Sequence, residues 1–212
     1  MKSTNVAMRT RIKICGITRV EDAVYAAEQG VDAIGLVFYP LSPRYVSVTQ
    51  ARAIAKALPP FVSIVALFVN PTTDEVMQVL TSVRIDLLQF HGDEDEVACK
   101  QYGLPYLKAI RVKLGTNLIQ YAQDYTSAKA LLLDTYSDAA FGGTGEIFDW
   151  NVIPKKMPKP IVLAGGLSVG NVAQAIKLVA PYAVDVSGGV EQSKGIKDSV
   201  KIANFVSAVN GC

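Results

Sequence analysis

The chain has little of what several common chemistries require. Its 212 residues hold one histidine, His91, and one tryptophan. A single histidine rules out a histidine-rich metal site and leaves a hydrolytic triad only one residue to draw on. There are three cysteines, Cys15, Cys99 and Cys212. Odd in number and widely spaced, they offer neither a disulfide framework nor a CxxC metal or redox pair. No run approaches the roughly 18 consecutive apolar residues of a membrane-spanning helix. The opening MKSTNVAMRT lacks the apolar middle of a secretory signal and is too short before the first strand for an organelle transit peptide. The net charge is only +2, and basic residues are scattered among acidic ones, so nothing attracts nucleic acid over distance. Neither GxGxxG nor GxxxxGK[ST] occurs, which argues against a dinucleotide or a nucleoside triphosphate. The expectation is a cytoplasmic protein with nucleic acid a poor candidate partner.

What is present is a repeating unit. Half of the residues are hydrophobic and 19% charged, which suits strands covered on both faces. Eight apolar runs read as strands: RIKICGI (11–17), AIGLVFY (33–39), SIVALFV (63–69), LLQFHG (87–92), YLKAIRV (106–112), ALLLDT (130–135), PIVLAGG (160–166) and AVDVSGG (183–189). Between them VEDAVYAAEQG reads as a helix ended by Gly30, VTQARAIAKAL as one stopped before Pro59, and SVGNVAQAIKLV as one stopped before Pro181. Parallel strands need crossovers of a dozen or more residues, so strand and helix in alternation predict a parallel sheet. Eight units of about 25 residues fit a small α/β fold of the (β/α)8 TIM-barrel type. An open doubly wound sheet is the alternative. With no linker or shift of composition, residues 1–212 are expected to be one domain, with 1–10 a short N-terminal extension.

In such barrels the active site lies at the C-terminal ends of the strands. Cys15 ends the first run, His91 the fourth and Asp134 the sixth; Asp185 lies in the eighth. Cys15 is either a buried small hydrophobe or a thiol acting as a proton acceptor. Asp134 is either a solvated carboxylate, a helix cap or the acid of an acid and base pair. Arg44, in the proline-braced loop YPLSPRYV, is placed to grip a carboxylate. His91 and Asp185 are further candidates for substrate binding, with packing and functional readings of His91 evenly balanced. Gly165 and Gly166 after the seventh strand, and Ser187, Gly188 and Gly189 after the eighth, stand where barrels commonly hold a phosphate through backbone N–H groups. The alternative is that these glycines only serve turns. The long loop 134–150, with Gly142, Gly143 and Gly145, is either a disordered insertion or a flap that closes on substrate.

In order along the chain, KICGIT, VFYPLSPRYV, LFVN, LQFHG, LLLDT, GGTGEIFDW, LAGGL and VDVSGGVE with KGIKD resemble the phosphoribosylanthranilate isomerases, barrel enzymes of tryptophan biosynthesis. The resemblance covers nearly the whole chain from residue 12. It implies a cofactor-free Amadori rearrangement of N-(5′-phosphoribosyl)anthranilate, an aminoaldose, to the carboxyphenylamino-deoxyribulose phosphate. By the same resemblance Cys15 is the general base at the sugar C2, Asp134 the general acid at the furanose oxygen, Arg44 the holder of the anthranilate carboxylate, and Gly166 with residues 187–189 the phosphate site. A monomer is implied as well. Because the acid must be protonated when substrate binds, a carboxyl raised by burial is expected at Asp134. Two departures stand out: Gly188 where the family more often has Ser, and Lys194 where Pro is usual. The rival readings are the sibling isomerase of histidine biosynthesis, which has an aspartate at the end of strand one, and a catalytically silent barrel that binds a sugar phosphate.

Overall fold

The computed structural model describes residues 9–135 and 148–212. Eight parallel strands close into a barrel in chain order: β1 (Arg11–Cys15), β2 (Ala33–Val37), β3 (Ser63–Phe68), β4 (Leu87–Phe90), β5 (Tyr106–Val112), β6 (Ala130–Thr135), β7 (Ile161–Leu163) and β8 (Ala183–Val186). β8 returns to β1 with Lys13 opposite Asp185, and this pairing closes the ring. The open doubly wound alternative is thereby excluded.

The helices wrap the outside: α1 (Val20–Glu28), α2 (Val48–Ala57), α3 (Thr73–Ser82), α4 (Glu96–Lys100), α5 (Leu118–Asp124), α6 (Val172–Val179) and α7 (Ser199–Asn210). Local chemistry sets their ends. Ser47 and Gln50 form a capping box at the start of α2, and Thr72 with Glu75 does the same for α3, each satisfying backbone donors the helix itself leaves open. α2 ends at Ala57 with the extended Leu58 as its C-cap, before Pro59, and the chain leaves α1 through Gly30 at φ +85°. The helix read over 168–179 starts later than its apolar pattern, at Val172. Before it, Asn171 Oδ1 accepts from the Ser168 N–H at 2.8 Å and folds 168–171 into a turn. The alternation of strand and helix has one exception among the described residues. Between β6 and β7 they contain only a 3-10 turn, Trp150–Val152. A two-stranded ribbon, β9 (Glu191–Ser193) and β10 (Ile196–Lys197), follows β8.

Strand alternation sorts the side chains into two interiors. Ile12, Ile14, Ile34, Leu36, Ile64 and Leu88 belong to the large layer between strands and helices. A separate cluster of Leu107, Ala109, Ala130, Leu132, Val162, Ala164 and Ala183 fills the lumen. Toward the C-terminal ends of the strands the lumen positions turn polar. Lys13, Gln89, His91, Asp134 and Asp185 are all buried there, beside a small apolar wall of Cys15, Val37, Leu67 and Val69.

Candidate active site

Three groups of side chains meet at this end of the barrel. The first surrounds Asp134. Its Oδ1 accepts the Thr135 N–H at 2.8 Å, and Oδ2 lies 3.1 Å from His91 Nε2. His91 Nδ1 is in turn 3.0 Å from Gln89 Nε2. An amide that donates to Nδ1 leaves the proton of a neutral imidazole on Nε2, directed at the carboxylate. Asp134 is buried, so it is neither a solvated loop residue nor the cap of a described helix. Gly165, at φ +81°, allows the chain after β7 to pass against it. A Cβ there would lie 2.6 Å from the Thr135 nitrogen and 3.0 Å from Asp134 Oδ1.

The second group surrounds Cys15, which is only 7% exposed. Lys13, two residues earlier on the same face of β1, donates to Asp185 Oδ2 at 2.8 Å, both side chains being buried. Asp185 Oδ1 has no hydrogen-bond partner among the described residues. Burial works against the Lys13 charge, but Asp185 and Cys15 outweigh it and hold the ammonium above its ordinary value. Burial pushes the Asp185 carboxyl up, against the pull of Lys13. The Cys15 thiol is likewise pushed up by burial, with Lys13 as the largest opposing influence.

The third group carries Arg44. Its Nε and Nη2 donate to Glu191 Oε1 and Oε2, both at 2.7 Å. Lys197 Nζ, fully buried, reaches the same carboxylate at 2.9 Å and the Ser187 carbonyl and Oγ at 3.2 and 3.4 Å. One carboxylate thus serves two cations, and a net positive charge remains. Gly16 (φ +72°) leaves room for the arginine, since a Cβ there would clash with Arg44 Cδ and lie 3.0 Å from Ser187 Oγ. The two glycine turns touch each other, because a Cβ on Gly189 would run into the Leu167 carbonyl. At Gly188 the nearest atom to such a Cβ is Arg44 Nη2 at 3.5 Å, an ordinary contact. Gly142, Gly143 and Gly145 lie outside the described residues.

The family model described as N-(5′-phosphoribosyl)anthranilate (PRA) isomerase matches residues 12–208. The chain belongs to the PRA isomerase family. A relative named N-(5′-phosphoribosyl)anthranilate isomerase, from Pseudomonas savastanoi pv. phaseolicola, is 60% identical over 201 residues, which is 95% of this chain and 98% of the relative. The crystal structure of the PRA isomerase from Thermotoga maritima superposes with a TM-score of 0.87 at 39% identity, covering 96% of this chain and all of that one. A PRA isomerase structure in complex with reduced 1-(o-carboxyphenylamino)-1-deoxyribulose 5-phosphate matches with a TM-score of 0.82 at 39% identity over the same shares. This chain is a PRA isomerase of tryptophan biosynthesis, which interconverts an aldose and a ketose. Among the described residues no helix is long and apolar enough to cross a membrane, and no cluster of histidine, cysteine, aspartate and glutamate could hold a metal.

In this PRA isomerase the sequence-predicted residues Cys15, Arg44, His91, Asp134 and Asp185 all stand at the C-terminal end of the barrel or in its upper lumen. Lys13, Gln89, Glu191 and Lys197 were missed. A signal for two of them existed: Lys13 and Gln89 precede Cys15 and His91 by one strand period, so they share the lumen face. Glu191 and Lys197 lie within the quoted VDVSGGVE and KGIKD segments, but the pairing of Glu191 with Arg44 spans a 147-residue separation that no local pattern reveals.

Proposed function

We propose that Cys15 and Asp134 divide the proton transfers of the rearrangement between them. The Asp134 carboxyl gives its proton to the furanose oxygen, the bond from that oxygen to C1 breaks, and the anilino nitrogen lone pair forms the C1=N bond of an iminium. The Cys15 thiolate then removes the C2 proton. The C–H electron pair becomes a C1=C2 bond, the nitrogen recovers its lone pair, and the enolamine tautomerises to the aminoketose. Two groups in different surroundings suffice for acid and base steps in one site.

Arg44 holds the anthranilate carboxylate with the guanidinium edge that Glu191 leaves open, and the surplus positive charge of its cluster favours an anion. Backbone N–H groups of Gly165, Gly166, Ser187, Gly188 and Gly189 hold the phosphate, a reading supported by the contact between the two glycine turns. His91 and Asp185 face the sugar; the buried Asp185 Oδ1, without a partner among the described residues, is an acceptor for a sugar hydroxyl. The barrel works as a single domain and a monomer in the cytoplasm, without cofactor or metal.

The observation that carries this reading is that a buried carboxyl with two hydrogen-bonding neighbours and a buried thiol with an adjacent ammonium share one lumen. The test follows the fluorescence of freshly made phosphoribosylanthranilate. Rapid consumption is expected, with no turnover of the aminoaldose of histidine biosynthesis. Binding of phosphoribosylanthranilate without its consumption would instead identify a silent sugar-phosphate barrel.

A further inference from the structure

Cys15 faces a difficulty that the acid and base assignment does not resolve. A base must lose its proton near neutral pH, yet burial pushes this thiol up. Gly35 bears on the problem. It is the register partner of Cys15 across β1 and β2. A Cβ on Gly35 would lie 2.7 Å from Cys15 Sγ and 3.1 Å from Lys13 Nζ. The thiol and the ammonium therefore share the space that any other residue at 35 would fill. Lys13 is in turn tied down by its 2.8 Å bond to Asp185, so its charge cannot swing away to solvent.

We propose that Lys13 is the positioning residue for the Cys15 thiolate, with Gly35 supplying the gap in which the two meet and Asp185 fixing the ammonium in that gap. The inference rests on Cys15 being the base. When the C2 proton passes to sulfur, the thiolate charge disappears and Lys13 is left paired with Asp185 alone. When the thiol is deprotonated for the next turnover, Lys13 faces both anions. The other charged groups around the thiol are Asp185 on β8, Lys197 on β10 and Arg44 in the loop after β2; His91, directly after β4, and Asp134 on β6 face Asp185 across the lumen. Of these Lys13 acts most strongly to favour the thiolate, Lys197 adds to it, and Asp185 opposes it.

The test reads the thiol directly. The rate of Cys15 alkylation by iodoacetamide, located by peptide mass mapping, is measured against pH in the wild type, Lys13→Met, Lys13→Arg and Gly35→Ala, each in a Cys212→Ser background. The expected result for Lys13→Met is a midpoint raised by about one unit or more, with the acid limb of kcat/KM moved the same way and the rate at pH 7 lowered on the order of tenfold or more. Lys13→Arg is expected to restore most of both. Gly35→Ala is expected to raise the midpoint too, by forcing sulfur and ammonium apart. Unchanged midpoint and unchanged acid limb in Lys13→Met would overturn the inference.

Lys13→Met leaves Asp185 buried and unpaired. Should that variant not fold, Lys13→Met/Asp185→Asn removes both charges and is read by alkylation alone. Its midpoint is expected to stay raised, because Lys13 outweighs Asp185 at the thiol, and a midpoint at or below the wild-type value would overturn the inference. Cys15→Ala separates the two claims. Full activity in that variant removes the base assignment and this inference with it. Lost activity together with an unmoved Lys13→Met midpoint removes only the role of Lys13.

Discussion

Arg44 shows how a single side chain depends on its neighbours for what it can do. Alone on a loop, an arginine samples many rotamers; here Glu191 takes two of its donors in a bidentate pair at 2.7 Å and fixes the fork before any ligand arrives. Glu191 also answers Lys197. Its carboxyl feels burial first, but Arg44 and Lys197 outweigh it and hold the group below the ordinary carboxylate range. Glu191→Gln removes that charge and leaves two buried cations facing each other. The expected outcome is a KM raised on the order of tenfold with kcat little changed, because the proposed role of the arginine is in binding and not in proton transfer. Steady-state kinetics check this, and an unchanged KM with a fallen kcat would assign Glu191 to the chemistry instead. At this scale the sequence was legible where a residue's type and strand position place it at the C-terminal end of the barrel, as with Cys15 and Asp134. It was silent where function comes from a partner far away in the chain, as at Glu191. His91 has Gln89 and Asp134 on its two ring nitrogens.

Elements were readable to the extent that their ends carry chemistry. β5 and β6 match their apolar runs residue for residue. β7 and β8 stop short of theirs, because the glycines that end those runs turn the chain, Gly165 and Gly166 at positive φ and Gly188 into a 3-10 turn. Short α4 has no amphipathic pattern to announce it; it is held by Asp95 as its N-cap and by Glu96, whose carboxylate accepts from the Ser127 N–H, Ser127 Oγ and Thr126 Oγ1. The Ser127 N–H and those hydroxyls lower the Glu96 carboxyl from 4.5 to about 2. A carboxyl lower in the folded than in the unfolded state stabilises the fold above its unfolded value and loses that contribution as pH falls through the folded one. The stabilisation by Glu96 is therefore complete above about pH 4.5 and is lost toward pH 2. Urea midpoints of the wild type and Glu96→Gln are expected to differ at pH 6 and to converge toward pH 2. A gap that stays constant with pH would show that the tie from α4 to residues 126–127 does not depend on the charge.

For the whole molecule, the closed ring explains how residues from distant parts of the chain become one site. β1 and β8 are neighbours only because the barrel closes, and Lys13 with Asp185, 172 residues apart in sequence, is the pair that records the closure at the level of the lumen. The repeating strand and helix pattern was enough to predict the barrel and its active end, while the order of polar residues around the lumen needed the register. The central claim is that this lumen holds separate acid and base side chains that do chemistry and not simply binding. The most direct measurement compares Cys15→Ser and Asp134→Asn with the wild type in two readouts at once: turnover of phosphoribosylanthranilate, and the dissociation constant of reduced 1-(o-carboxyphenylamino)-1-deoxyribulose 5-phosphate. Turnover lowered by roughly two or more orders of magnitude, with affinity for the reduced product within a few-fold of wild type, is the predicted result. Turnover that survives in either variant, or affinity that falls in step with it, would contradict the account.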